Sequence, residues 1–293
     1  MTRLDKTRHD PRVTLARPDL ADAVLEGVIA AERYAETKAM QVIVPGAALR
    51  TAPDGRAEQV DQVLFGEVFH VLEETDGWAW GQADRDGYVG YVALRCLSPE
   101  VIRPTHWVGA IRTYGLTEPS IRAPVAGLYS LNALVTVEAP EALGDDERFA
   151  RVARIGHVTR HHLSPIGQHL ATDPAGVAER FLGAPYLWGG RDSLGLDCSG
   201  LVQQALYACG RACPRDSDMQ QALGAPLTIG PDLGGLQRDD LVFWRGHVGI
   251  MLDADRLLHA NAHHMATAIE SLAGAVARIE AAGGGAPTAF RRL

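Results

Sequence analysis

The sequence predicts an α+β protein in which two small β-barrels precede a domain that starts with helices and ends in a sheet. Three observations predict it. Residues 41 to 97 fall into short runs that alternate apolar and polar side chains, VLFGEVFHVLEE, WAWGQADRDG and YVGYVAL, with turn residues between them. Residues 106 to 163 repeat that rhythm weakly: Leu116, Pro119, Pro124, Leu131 and Val135 keep step with the first copy, and ARVARIGHVTRHHL closes it much as GYVGYVALRCL closes the first. From about residue 170 onward helical patterns come first and strand patterns second, the order of an α+β unit.

The elements follow in chain order. LADAVLEGVIAAERYAETK, residues 20 to 38, carries apolar side chains at helical spacing, so residues 1–38 read as a helical extension packed across another domain. MQVIVPGAALRTAPDG is strand-like and ends in a turn at Pro53-Asp54-Gly55. The barrels occupy 39–100 and 101–168, and the last domain 169–293. In that domain Asp173-Pro174 is a helix start. A glycine-rich loop around Cys198 follows, then a helix from Ser199 to about Cys209 and a loop containing PRDSDMQ. LQRDDLVFWRGHVGIML and RLLHANAHH read as strands joined by a turn at Asp253.

Composition limits the partners. With 46% hydrophobic and 22% charged residues, the 293-residue chain has the make-up of a folded protein with a sizeable core. The net charge is -8 and no basic block occurs, which argues against nucleic acid as a partner. No apolar run approaches the ~18 residues of a membrane span. The first residues, MTRLDKTRHDPRVTLARPDL, are charged and contain prolines, unlike a secretory signal, so a cytoplasmic location is expected. In a reducing compartment Cys96, Cys198, Cys209 and Cys213 should be free thiols. Cys209 and Cys213 lack the second pair that a zinc site needs.

Cys198 stands apart from the other three. It lies between Asp197 and Ser199, at the start of the helical run SGLVQQALYACG. Unpaired N–H groups at a helix start favour negative charge, so the position should favour the thiolate, the reactive form of cysteine. A catalytic thiol also needs a base and a group to orient that base. His247 opens the strand HVGIML, and His259 lies twelve residues on, after a turn, where a hairpin brings two imidazoles together. The wiring this suggests is Cys198 as nucleophile, His247 as base and then acid, and His259 as orienter. His157, His161, His162, His263 and His264 read as ordinary polar positions. The cluster His259, His263 and His264 shows no carboxylate or thiol at ligand-like spacing, so neither a metal nor a cofactor is expected.

PYLWGGRDSLGLDCSGLVQ, followed by DLVFWRGHVGIML and LLHA, resembles the NlpC family of papain-like murein peptidases. The cysteine of a D-C-S-G motif, the histidine that opens an H-V-G-I strand and a polar residue about a dozen positions later all occur here in order. The upstream part is similar to the paired bacterial SH3-like domains of one subgroup. That resemblance implies two SH3-like barrels ahead of a papain-like domain. It also implies cleavage of γ-D-glutamyl–diamino acid bonds in murein stem peptides with a free N-terminal L-alanine. Tyr186 matches the tyrosine that helps bind the oxyanion, with the backbone N–H of Cys198 as second donor. Asp197 and Ser199 match positions that contact L-Ala-γ-D-Glu, and Ser217 a position near the D-Glu carboxylate. An acidic residue and a tyrosine of the first barrel would hold the substrate amine. Glu58 and Tyr88 are the candidates, with Glu67, Glu73 and Tyr91 as alternatives. A buried pair of Asp197 with Glu58 would suit an ammonium. Since the family is mostly secreted, the N-terminus here favours recycling of imported wall peptides. An amidase or acyltransferase on the same layout, and a wall-binding protein without activity, remain the rival readings.

Overall fold

The computed structural model describes residues 9–138, 148–168 and 171–293. The expected helix over 20–38 does not form. Ala21–Asp22 pairs in parallel with Tyr34–Ala35, and only a 3-10 turn, Ala23–Leu25, lies between them. The helical spacing of apolar residues misleads because no surface receives that face: Val24 is 78% and Val28 48% exposed. A short helix without a packed face is marginal in water. The residues that anchor this segment are Leu15 and Leu20, buried against Trp80, together with Arg17, whose guanidinium lies 4.0 Å above the Trp80 ring.

The first β unit is one antiparallel sheet with the order Gln59–Leu64, Gly46–Arg50, Val89–Ala93, Trp78–Ala83, Val68–Thr75, Lys38–Val42, Leu97–Ser98. Alternate residues Met40, Val42, Leu49, Val63, Phe69, Val71 and Val92 fill its core. Asp76 and Gly77, both at positive φ, form the two-residue turn of one hairpin, where a D-G pair matches the twist of the strands. The second unit contains a four-stranded sheet, Val125–Ser130, Arg112–Leu116, Gly156–Thr159, Phe149–Val152, and a three-stranded sheet, Leu134–Val135, His106–Val108, Leu163–Pro165. Val108, Tyr129, Val135, Val152, Ile155 and Val158 form its core. Two closed barrels are not what is found. Among the described residues the strand orders are open, and in the second unit an antiparallel bridge between Val137 and Val152 links its two sheets. The rhythm of the sequence does survive locally. Both units close with a 3-10 turn followed by a short strand, Leu94–Cys96 with Leu97–Ser98 and Arg160–His162 with Leu163–Pro165.

The last domain has the predicted α+β order. Helix α1, Pro174–Glu179, is capped by Asp173, whose side chain accepts from the Gly176 N–H. Helix α2, Cys198–Ala208, is buried along its whole length. A short helix α3, Ser217–Gln220, precedes an antiparallel sheet with the order Ala225–Pro226, Ala289–Arg292, Leu241–Trp244, His247–Met251, Arg256–Asn261, Ala266–Ser271. Helix α4, Leu272–Ala281, covers one face. The period of two explains the layers. Leu241 and Phe243 point into the core around α2, whereas Val242 and Trp244 point into the core around α4.

Candidate active site

Cys198 opens α2, and Asp197 is the cap, accepting from the Gly200 N–H at 2.8 Å. The thiol is buried against the start of the neighbouring strand, within reach of the Val248 backbone N–H. The helix start does not dominate its acidity. Burial, reinforced by the charge of Asp197, pushes the thiol up to about 12, against smaller opposing effects of the Val248 N–H and Arg215. The expectation of a low thiol pKa therefore fails: desolvation of a buried thiolate outweighs the partial charge of a helix end.

Strand register explains the histidines. Ile250 pairs with Leu258 and Met251 with Leu257, which continues to place His259 across from Gly249, one diagonal step from His247. A Cβ at Gly249 would come within 3.2 Å of the His259 Cβ and 2.6 Å of Leu257, so the glycine makes room for the second imidazole. His247 Nε2 and His259 Nδ1 lie 2.8 Å apart. His259 pairs with Ala268 on the next strand, and a second diagonal step reaches Glu270, whose Oε1 is 2.8 Å from His259 Nε2. Arg278 of α4 holds the same carboxylate. Glu270 and Arg278 were not foreseen; alternation along ATAIES could have flagged Glu270, but only with the register in hand.

The chain fixes the tautomers. Ionised Glu270 is only an acceptor, so His259 donates from Nε2 and accepts at Nδ1. His247 then donates from Nε2, which leaves a free lone pair on its Nδ1. Burial is the main cause that lowers His247 to about 3 and His259 to about 4. With the thiol raised and both imidazoles lowered, the site at neutral pH holds a neutral thiol and neutral imidazoles. Tyr186 is half-buried, and its phenol is kept protonated first by burial and then by the nearby Cys198 and Asp197. A protonated phenol there is a donor, as an oxyanion site requires.

A cavity of about 320 Å³ opens over Cys198 at the junction with the first β unit. Asp197, Ser199 and Ser217 line it, and so do Glu58 and Tyr88 from the other side of the junction. Every proposed substrate-binding residue is therefore in one place. The partners of two of them differ from expectation. Asp197 is committed to Arg215 through two contacts of 2.6 and 3.0 Å, and Glu58 is exposed, accepting from Trp188 Nε1 at 2.9 Å. They do not form a buried pair. Asp216, which the sequence reading passed over beside Ser217, lines the cavity and accepts from the Tyr88 hydroxyl at 2.9 Å. Arg12, from the N-terminal segment, reaches Asp216 and Asp218, each at 2.7 Å. The alternatives lie elsewhere: Glu67 is buried between Arg191 and Arg85, while Glu73 and Tyr91 both bind Arg17.

Buried charges fix the junction. Asp61 accepts from Arg215 at 2.7 Å and from Arg191 at 3.2 Å, and Arg191 bridges on to Glu67 at 2.6 Å. Gly189, at φ +69, lies so close to Gln59 that a Cβ would stand 2.6 Å from its carbonyl oxygen. Only glycine fits there, and the loop carrying Tyr186 and Trp188 is held against the first β unit.

Residues 183–279 match the NlpC/P60 family, and residues 49–97 match the bacterial dipeptidyl-peptidase SH3 domain. The chain thus carries an NlpC/P60 cysteine peptidase domain behind a bacterial SH3-like domain. The peptidase is 28% identical over 238 residues to dipeptidyl-peptidase 6 of Lysinibacillus sphaericus, covering 75% of this chain and 86% of that one. It is 28% identical over 224 residues to the γ-D-glutamyl-L-lysine dipeptidyl-peptidase of Bacillus subtilis, covering 68% and 71%. In fold it is similar to an NlpC/P60 family protein from Bacillus cereus, with a TM-score of 0.69, 20% identity, and coverage of 87% of this chain and 99% of that one. The peptidase's Tyr186, Cys198, His247, His259 and Glu270 all lie within the NlpC/P60 match, and Glu58 and Tyr88 within the SH3 match.

Proposed function

We propose that the peptidase hydrolyses the γ-D-glutamyl–diamino acid bond of murein stem peptides whose N-terminal L-alanine is free. The observation that carries this reading is the single cavity that joins Cys198 to Glu58, Tyr88 and Asp216. An acidic, walled end close to the nucleophile suits a short peptide that begins with an ammonium. Asp197 and Asp216 already face Arg215 and Arg12, so the carboxylate left to meet the ammonium is Glu58, whose partner here is the Trp188 indole; an acylated amine would offer it no charge and would need room at the walled end of the cavity. The name of the Bacillus subtilis relative, a γ-D-glutamyl-L-lysine dipeptidyl-peptidase, supports the same bond, and that of the Lysinibacillus sphaericus relative supports dipeptide release.

The reaction runs on the residues described. The Cys198 thiol gives its proton to His247 Nδ1 as sulfur attacks the γ-carbonyl carbon of D-glutamate. Tyr186 and the Cys198 backbone N–H donate to the resulting oxyanion. Collapse breaks the C–N bond, and His247 passes its proton to the leaving amine. Water, deprotonated by His247, then attacks the thioester carbonyl; the C–S bond breaks, L-Ala-γ-D-Glu leaves, and His247 returns the proton to sulfur. Such specificity would suit recycling of released wall peptides in the cytoplasm. We also read the second β unit as a diverged SH3-like copy of the first. Mass spectrometry of L-Ala-γ-D-Glu-diamino acid tripeptide after incubation tests the activity. The dipeptide should form with the wild type and not with Cys198→Ala; no dipeptide from the wild type would refute the reading.

A further inference from the structure

We infer that His259, His264 and Glu270 form a binding site for a divalent transition metal such as zinc, and that occupying it switches the peptidase off. The ligating atoms of these three residues all lie within 4.8 Å of one another. They come from three places that the sequence separates: the Arg256–Asn261 strand, the turn after it, and the Ala266–Ser271 strand. Glu270 supplies the carboxylate that the histidine run HANAHH lacks on its own. Two imidazoles and a carboxylate with a water in the fourth position are a tetrahedral zinc donor set.

Each ligand is prepared differently. His264 is exposed, so an ion reaches it from solvent. Its Nδ1 lies 3.0 Å from Asn261 Oδ1, an acceptor, so Nδ1 carries the proton and Nε2 offers its lone pair. A hydrogen bond at the other ring nitrogen is the usual way a ligating histidine is oriented. His259 is fully buried, and its Nε2 already faces Glu270 Oε1 at 2.8 Å. Zinc bonds of roughly 2.0–2.2 Å bring donors to about 3.3 Å from one another. The exposed His264 ring is free to supply most of that contraction. Arg278, paired with Glu270, opposes the ion. This is therefore a reversible site and not a resident cofactor.

Inhibition follows from where the protons must go. A metal on His259 Nε2 moves that ring's single proton to Nδ1. His259 then donates to His247 Nε2, and the single proton of neutral His247 moves to its Nδ1, the nitrogen that must accept the thiol proton. No proton is gained or lost. The two imidazoles exchange tautomers, and the base loses its lone pair toward Cys198. The metal acts from the side of the chain remote from the thiol and needs no contact with sulfur.

The binding half of this inference is independent of the proposed substrate, and the inhibition half rests on it; two measurements separate them. The first is calorimetric titration of untagged full-length Cys198→Ala with zinc, where direct chelation by Cys198 is impossible. One site should appear, and Cys198→Ala/His264→Ala should bind at least about tenfold more weakly, the effect expected when a metal site loses a side-chain partner. Equal affinity in the two would overturn the site. The second is zinc inhibition of tripeptide hydrolysis. His264→Ala and His264→Asn, both at an exposed turn, should keep wild-type activity without zinc and need at least about tenfold more zinc for half inhibition. Equal sensitivity of wild type and both variants would overturn the switch and place the metal on Cys198 and His247.

Discussion

At the residue scale the proposed mechanism is a relay of fixed tautomers, Glu270 to His259 to His247, ending at the thiol. Its reactive state is the neutral pair. His247 acts only with Nδ1 unprotonated, and burial lowers its pKa and that of His259 to about 3 and 4. Both groups are lowered, so the competent form persists on the acid side of the ordinary histidine range and is lost only as pH falls toward those values. The acid limb of kcat/KM should thus lie below pH ~5, well under the ~6.5 of a free imidazole. A pH–rate profile with an acid inflection near 6.5 would contradict this. Glu270→Ala should lower kcat by tenfold to a hundredfold with little change in KM, since the carboxylate only fixes tautomer and angle. That is on the order of, or below, the 10²–10⁴ contributed by a general base itself. Steady-state kinetics on the tripeptide decide it, and a KM effect alone would place Glu270 outside the relay.

At the element scale the sheet converts spacing into contact. Twelve residues separate His247 from His259 and eleven separate His259 from Glu270, yet each pair meets by one diagonal step between neighbouring strands. The first step was legible in the sequence because both histidines sit in hydrophobic strands joined by an evident turn. The second was not, because Glu270 carries no motif and its face depends on register. The thiol was legible for a local reason, its place at the start of α2. Its protonation state was not, since burial of the helix start is set by residues far along the chain. The 20–38 segment failed because its period was right for a helix while nothing in the fold covers its apolar face. Tyr88 and Glu58 were identified by resemblance, whereas Asp216 and Arg12 are seen only when the cavity is seen. Glu58→Gln should raise KM for the free-amine tripeptide more than it lowers kcat, because the amine is remote from the scissile bond. A loss confined to kcat would remove Glu58 from substrate binding.

At the scale of the whole molecule, the proposed specificity depends on how the first β unit is seated. Asp61, Arg191, Arg215 and Glu67 are almost fully buried and link partners up to 154 residues apart, a connection no local pattern could announce. Removing one member leaves a buried charge without its counter-charge, typically a loss of about 3–5 kcal/mol. Asp61→Ala should therefore lower the melting temperature and, in the folded fraction, raise KM for the free-amine peptide, because Glu58 and Tyr88 lose their position over Cys198. An unchanged melting temperature would show that the junction does not depend on this network. The central claim, that the cavity reads a free amine, is tested most directly by kcat/KM of the wild type on L-Ala-γ-D-Glu-diamino acid and on its N-acetylated form. The free peptide should be cleaved and the acetylated one barely touched. Equal values for the two would contradict the account.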